Sequence, residues 1–239
     1  MCNKRCHFVA IGAVLVVGVG GYVAWTQRAS AAGIAIAYNP VIKPANFVAD
    51  INNKYFTLKP GTKFTYQDKK GLERIELTVT NETKKLMGVT ARGVRVMDWR
   101  NGVLKEDTTD WYAQDKAGNV WYFGEAVNNY RNGKIIHRKG SWEAGVNGAK
   151  PGIIMRANPR VGDTYRQDYF RWNAGTVVAT DKKITVPHGT FENCIQVKDS
   201  TFLSVTAEYK YFCPAVGFLV REETLRGGIQ AELVGVSTQ

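Results

Sequence analysis

His137 and His188 are the two histidines beyond the first thirty-odd residues, and neither stands in a pattern that catalysis requires. His137 lies in the alternating basic run IIHRK, and His188 follows Pro187 in a turn. A serine or cysteine nucleophile needs a histidine held by an acid, and no such motif surrounds either one. No C-x-x-C, H-E-x-x-H or calcium-loop spacing occurs, and no glycine-rich phosphate loop follows a predicted strand. No metal and no cofactor is therefore expected. Carboxylates are the remaining reactive groups. Glu106, Asp107 and Asp110 fall on one predicted strand, with Glu125 and Glu143 in later segments. Two carboxyl groups across a cleft, one protonated and one ionised, would cleave a glycosidic bond. Glu125 and Glu143 are the candidates for that role. On solvated strand faces the same acids would have no catalytic role.

The acids flank an aromatic stretch, DWYAQDKAGNVWYFGE at residues 110–125. Asp115-Lys116-Ala117-Gly118-Asn119 fits a hairpin whose three-residue loop ends in a left-handed glycine. That register sets Asp115 opposite Asn119, Ala113 opposite Trp121 and Trp111 opposite Phe123. Side chains alternate across a strand, so Trp111, Ala113, Trp121 and Phe123 share one apolar face. Tyr112, Gln114, Val120 and Tyr122 share the other, amphipathic face. Two readings follow: the centre of a β core, or a wall for an apolar ligand made by Trp111, Trp121 and Phe123, with Tyr112 and Tyr122 as the alternative wall.

Charge supplies a second binding feature. Between Arg131 and Arg171 nine Lys/Arg stand against three acids, Glu143, Asp163 and Asp168. Arg138, Lys139, Arg156 and Arg160 would attract anionic head groups at a membrane surface. Solvated strand faces are the plainer reading of the same residues. No nucleic-acid motif accompanies them, and nucleic acid is not an expected partner.

The elements that must position these groups are strands. Residues 62–67 alternate, Asp68 to Gly71 reads as a turn, and residues 74–80 alternate with Ile75, Leu77 and Val79 on one face. Residues 86–99 read as one long strand-rich run. Asn101-Gly102 and Asn132-Gly133 are hairpin signals, because both positions accept positive φ. Residues 45–52 alone look helical. Residues 145–163 break the rhythm with four glycines and two prolines. A short echo, Gly61-Thr62-Lys63-Phe64 against Gly162-Asp163-Thr164-Tyr165, suggests two related halves. The expected fold is all-β: a curved antiparallel sheet, half-barrel or two-layer sandwich, with one short N-terminal helix. The expected domain is 45–236, with sub-halves 45–145 and 160–236 joined by 146–159, after an extension at 32–44.

The first 31 residues read as a signal peptide. Lys4 and Arg5 precede eighteen uncharged residues, 8–25, and Ala29-Ser30-Ala31 offers small residues for cleavage before Ala32. An uncleaved anchor is the alternative, since eighteen helical residues reach roughly 27 Å. Removing Lys4, Arg5 and Arg28 leaves 29 basic and 21 acidic residues, a net +8. Export makes the mature chain periplasmic or secreted. Cys194 and Cys213 are then its two thiols, and an oxidising compartment favours their pairing over two buried free thiols. A hairpin centred on Leu203-Ser204 would set them opposite one another.

Residues Tyr55-Phe56-x-Leu58-Lys59-Pro60-Gly61, DWYAQDKAGNVWYFGE, GSWEAGVNGAKPGIIM, NPRVGDTYRQDY, VPHGTFENC and EYKYFCPAVGF together resemble an uncharacterised family of exported bacterial β proteins. The likeness covers about residues 45–235. The V-P-x-G-T-F turn and the Leu-Lys-Pro-Gly opening are similar to periplasmic lipoprotein-carrier half-barrels, which implies a concave sheet and a lipid ligand by analogy of fold alone. That family commonly carries alanine at the position of Cys213 and cysteine at that of Ala91. The Cys194/Cys213 pairing is therefore read from this sequence, not from the resemblance. The place of His188 is often tyrosine or alanine there, which argues against a catalytic role for it. The expected function is an exported, non-catalytic protein sheltering a lipid or other amphipathic ligand. A secreted hydrolase of envelope or polysaccharide substrates is one alternative; a secreted effector or surface protein binding protein partners is another.

Overall fold

The computed structural model describes residues 38–168, 173–201 and 207–238. The signal segment, Arg171 and the centre of the cysteine hairpin, Leu203-Ser204, lie outside the described residues.

The segment expected to be helical is not a helix. A 3-10 turn, Pro44–Asn46, leads into β1 (Phe47–Val48), and β2 (Asn52–Asn53) pairs with β3 (Phe56–Thr57). Eight residues cannot sustain a helix without tertiary burial, and this stretch finds better partners on the sheet. Phe47 pairs with Asp115, and Gln114 Oε1 accepts the backbone N–H groups of Asn52 and Asn53, at 2.9 Å each.

Period-two apolar patterning then builds the first half. It comprises β4 (Thr62–Gln67), β5 (Glu73–Leu86), β6 (Val89–Arg100), β7 (Val103–Asp115) and β8 (Val120–Arg131). Ile75, Leu77 and Val79 are buried on one face of β5, as the alternation requires. Asn101-Gly102 and Asn132-Gly133 take positive φ and make two-residue turns. The run at 86–99 is interrupted: Met87 and Gly88, at φ 48° and 79°, turn the chain between Leu86 and Val89.

On the free side of β8 lie β9 (Lys134–His137), β10 (Trp142–Glu143) and β11 (Gly152–Met155). The second half follows with β12 (Thr164–Arg166), β13 (Asn173–Val186), β14 (Gly189–Thr201), β15 (Ala207–Cys213), β16 (Phe218–Thr224) and β17 (Ile229–Thr238). One antiparallel sheet results, in the order β10-β8-β7-β6-β5-β4-β17-β16-β15-β14-β13-β12. The ladder is not closed, but its ends approach. Pro151, next to β11, makes a single bridge to Asp168, beyond β12. A Cβ on Gly152 would lie 2.3 Å from the Gln167 backbone, so only glycine permits this approach.

The two halves repeat each other. Gly61 N–H donates to Val79 O and Gly162 N–H to Val177 O, both at 2.9 Å. From these anchors one row runs Val79, Val94, Asp110, Glu125 across β5 to β8. Its counterpart runs Val177, Val197, Lys210, Glu222 across β13 to β16. One step on, each half carries a bulge, Phe123 on β8 and Val220 on β16, before Tyr112 meets Tyr122 and Phe212 meets Leu219. The echo between Gly61 and Gly162 is the sequence trace of this repeat.

The interior is aromatic. Phe56, lifted from β3, packs edge-on against Tyr112 and Phe218, and Phe218 stacks on Phe64. Ile195 pairs with Phe212 on β14 and β15, which brings Cys194 and Cys213 into register as a disulfide.

Candidate functional site

The hairpin at 110–125 forms with Asp115 N–H donating to Asn119 O and Gly118 at φ 91°. Ala113 pairs with Trp121 as the spacing requires. Trp111 does not meet Phe123. The bulge pairs Trp111 with Gly124 instead, and Phe123 is the extra residue. Nor do the phenols meet water. Tyr112 and Tyr122 stack at 5.0 Å, Trp142 stands edge-on to Tyr122, and both tyrosines are buried in the core. Trp111 and Phe123 are buried on the opposite face, with the Lys84 ammonium over the Trp111 ring and Phe47 against Phe123. Trp121 alone of the five is half-exposed; Phe47 covers it, and its Nε1 donates to Asp115 Oδ2 at 2.8 Å.

The carboxylates divide in the same way. Glu125 pairs with Asp110 on the inner face, where both are buried. The hydroxyls of Tyr122 and Tyr112 donate to Asp110, at 2.8 and 3.3 Å. Burial, and then the negative charge of Asp110 and Glu125, pushes both phenols well above their ordinary range. Trp142 sits opposite Glu125 on β10, so the next residue, Glu143, points outward, where Lys84 forms an ion pair with it. Glu125 and Glu143 therefore occupy opposite faces of the sheet and cannot act on one bond across a cleft.

The second half has its own interior polar group, which patterning did not reveal. Lys210 is 3 % exposed, and its ammonium contacts Asp199 at 2.8 Å and Glu208 at 3.1 Å. Gln167 Nε2 donates to Asp199 Oδ1 at 2.8 Å. Burial alone would lower the Lys210 ammonium, but Asp199, Glu208 and Glu222 outweigh it and hold it well above the usual lysine range. Glu222 is wholly buried, and burial, reinforced by Glu208, pushes it well above the usual carboxylate range. One lysine and three acids, Asp199, Glu208 and Glu222, then share the site.

The signal that could have exposed this group is alternation itself. Glu208, Lys210 and Phe212 share one face of β15, and Tyr209, Tyr211 and Cys213 the other. Hydrophobicity points to the second set as interior. Instead the first faces the core, just as Asp110, Tyr112 and Gln114 do in β7.

The basic residues form two groups. Arg156 lies just past β11, which pairs with residues 120–122 of β8, and its guanidinium sits over the Tyr165 ring. Arg160 is exposed in the following turn, its N–H donating to Asp163. Arg138 and Lys139 follow β9, which pairs with residues 129–131 at the far end of β8. Nine residues at about 3.3 Å separate the two groups by roughly 30 Å, so the four do not make one patch. Arg138 and Lys139 instead join Arg131 and Lys134 on a hairpin in which residues 131–139 are all exposed, Ile135 and Ile136 included.

The histidines lie apart. His137 is exposed on β9, and His188 is exposed in the β13–β14 turn with its ring stacked on Phe191. Among the described residues no cluster of three His, Cys, Asp or Glu could hold a metal ion, and no helix is long and apolar enough to cross a membrane. The disulfide is consistent with an oxidising compartment. The chain matches no family model, and no curated protein and no solved structure shows significant similarity to it.

Proposed function

We propose that this chain is an exported, non-catalytic binding protein whose ligand is an amphiphile with an anionic head group. The ligand engages the outside of the sheet rather than its concave interior. The observation that carries this reading is the run at 131–139, nine consecutive exposed residues with four Lys/Arg, two isoleucines and no acid. Cations beside exposed branched apolar side chains match a molecule that is anionic at one end and apolar at the other. The interior supports the same choice, since the aromatic residues that could line a ligand are packed against one another and against Phe56, Phe47 and Trp142. The outward orientation of Glu143 weighs against hydrolysis. The signal-like N-terminus, the resemblance to exported bacterial β proteins and the disulfide support export.

The test is titration calorimetry with a monomeric anionic lysolipid, lysophosphatidylglycerol below its micelle concentration, against neutral lysophosphatidylcholine. The anionic lipid binds, and Arg131→Glu/Lys134→Glu/Arg138→Glu/Lys139→Glu weakens it at least ten-fold. Equal binding of both lipids, or of neither, refutes the reading.

A further inference from the structure

The basic hairpin does not stand alone at its end of the sheet. Strand register aligns it with three other turns. Glu106 of β7 pairs with both Asn129 of β8 and Asp98 of β6, and Ile75 of β5 pairs with both Asp98 and Tyr66 of β4. Next along, Glu232 of β17 pairs with both Gln67 and Arg221 of β16. Each of the four turns begins within four residues of this one row, roughly 13 Å along a strand. They therefore crown a common edge.

Each turn carries the same chemistry. The β4–β5 turn exposes Lys69, Lys70 and Leu72; its acid, Asp68, is engaged by the N–H groups of Leu72 and Glu73. The β6–β7 turn exposes Val103 and Lys105, and the β16–β17 turn exposes Leu225 and Arg226. With Ile135 and Ile136, five large apolar side chains stand between 42 and 50 % exposed along this edge. No exposed acid lies in residues 69–72, 101–105, 131–139 or 225–228.

We infer that this edge is a docking surface for an anionic lipid bilayer. The inference rests on the proposed function for the hairpin at 131–139 and extends it to a partner. A soluble polyanion needs only the cations. Five partly exposed aliphatic side chains interleaved with cations, with no acid inside the four turn segments, fit a surface with phosphates outside and hydrocarbon just beneath. Binding is therefore salt-dependent and also sensitive to the apolar residues.

The experiment is co-sedimentation with vesicles of phosphatidylglycerol and phosphatidylcholine, and with phosphatidylcholine alone, using the mature chain and Leu72→Asp/Leu225→Asp. That variant leaves 131–139 untouched, and both positions are exposed, so folding is retained; far-ultraviolet circular dichroism verifies it. The wild-type chain sediments with anionic vesicles only. The variant loses at least ten-fold in vesicle affinity and keeps its lysophosphatidylglycerol binding. Vesicle binding unchanged in the variant overturns the inference, as does tighter binding to heparin than to vesicles. Lysolipid binding without any vesicle binding overturns this inference alone; loss of both overturns the proposed function as well.

Discussion

Asp110 and Lys210 hold equivalent places in the two halves of the sheet, each between an inward valine on one neighbouring strand and a buried glutamate on the other. The repeat keeps the position polar and reverses its charge. In the first half two tyrosine hydroxyls cap the acid. In the second, the ammonium is held by Asp199 and Glu208 beside the buried Glu222. Such a group is costly to bury and more costly to break.

Lys210→Met leaves the surrounding carboxylates without their cation and destabilises the protein by about 3–5 kcal/mol. Lys210→Met/Glu222→Gln costs less than the sum of the single changes, because the glutamine carries no ionisable group toward the remaining acids. Urea melts of the four proteins measure the coupling. Additive effects would show that Lys210 and Glu222 do not interact.

Two acids raised by burial give stability the same direction of pH dependence. Burial, against the pull of Arg100, raises Asp98 to about 6 from an ordinary 3.8. A raised acid contributes its stability below its unfolded pKa and loses it as pH climbs through the folded one. Asp98→Asn therefore gains on the wild type between pH 4 and about 6 and is level beyond pH 7. Glu222→Gln likewise gains on the wild type as pH rises above about 4.5, because burial and Glu208 raise the folded pKa of the glutamate. Lys210 contributes no slope in this window, because its stabilisation is lost only as pH rises through a value above 10.5. Denaturation midpoints from pH 4 to 8 separate the curves.

The repeat also predicts a second disulfide. The register that pairs Ile195 with Phe212 sets Cys194 beside Cys213, and the register that pairs Arg92 with Tyr112 sets Ala91 beside Ala113. Both alanines are buried. Ala91→Cys/Ala113→Cys closes a bridge on oxidative refolding and adds about 3 kcal/mol. Two free thiols by mass spectrometry would mean that the halves differ at this step.

Gly152→Ala tests how the sheet's ends meet. A Cβ there collides with the Gln167 backbone, which cannot yield as a flexible side chain would. The expected loss is about 1–3 kcal/mol, with faster amide exchange at Gln167 and Asp168. Unchanged stability and exchange would show that this approach contributes nothing.

How far the sequence disclosed this architecture depends on what each feature needs. β4, the inward face of β5, the Asn-Gly turns and the cysteine register follow from alternation and positive φ, which are local. The Met87-Gly88 turn was hidden because methionine at φ 48° is no turn signal. The helix expected at 45–52 lost to Gln114 and the edge of β7, partners sixty residues away. Alternation divides Asp110, Tyr112 and Gln114 from Trp111 and Ala113, but it does not say which set faces inward. That choice is made by Phe56 and Trp142, and the bulge at Phe123 has one local mark, Gly124 at φ 148° beside it.

The most direct test of the account is amide exchange on the mature chain with and without vesicles of phosphatidylglycerol and phosphatidylcholine. The predicted result is slowed exchange at residues 69–72, 101–105, 131–139 and 225–228, with residues 110–125 unchanged. Protection at 110–125 with those four turns unaffected would place the ligand inside the sheet and contradict it.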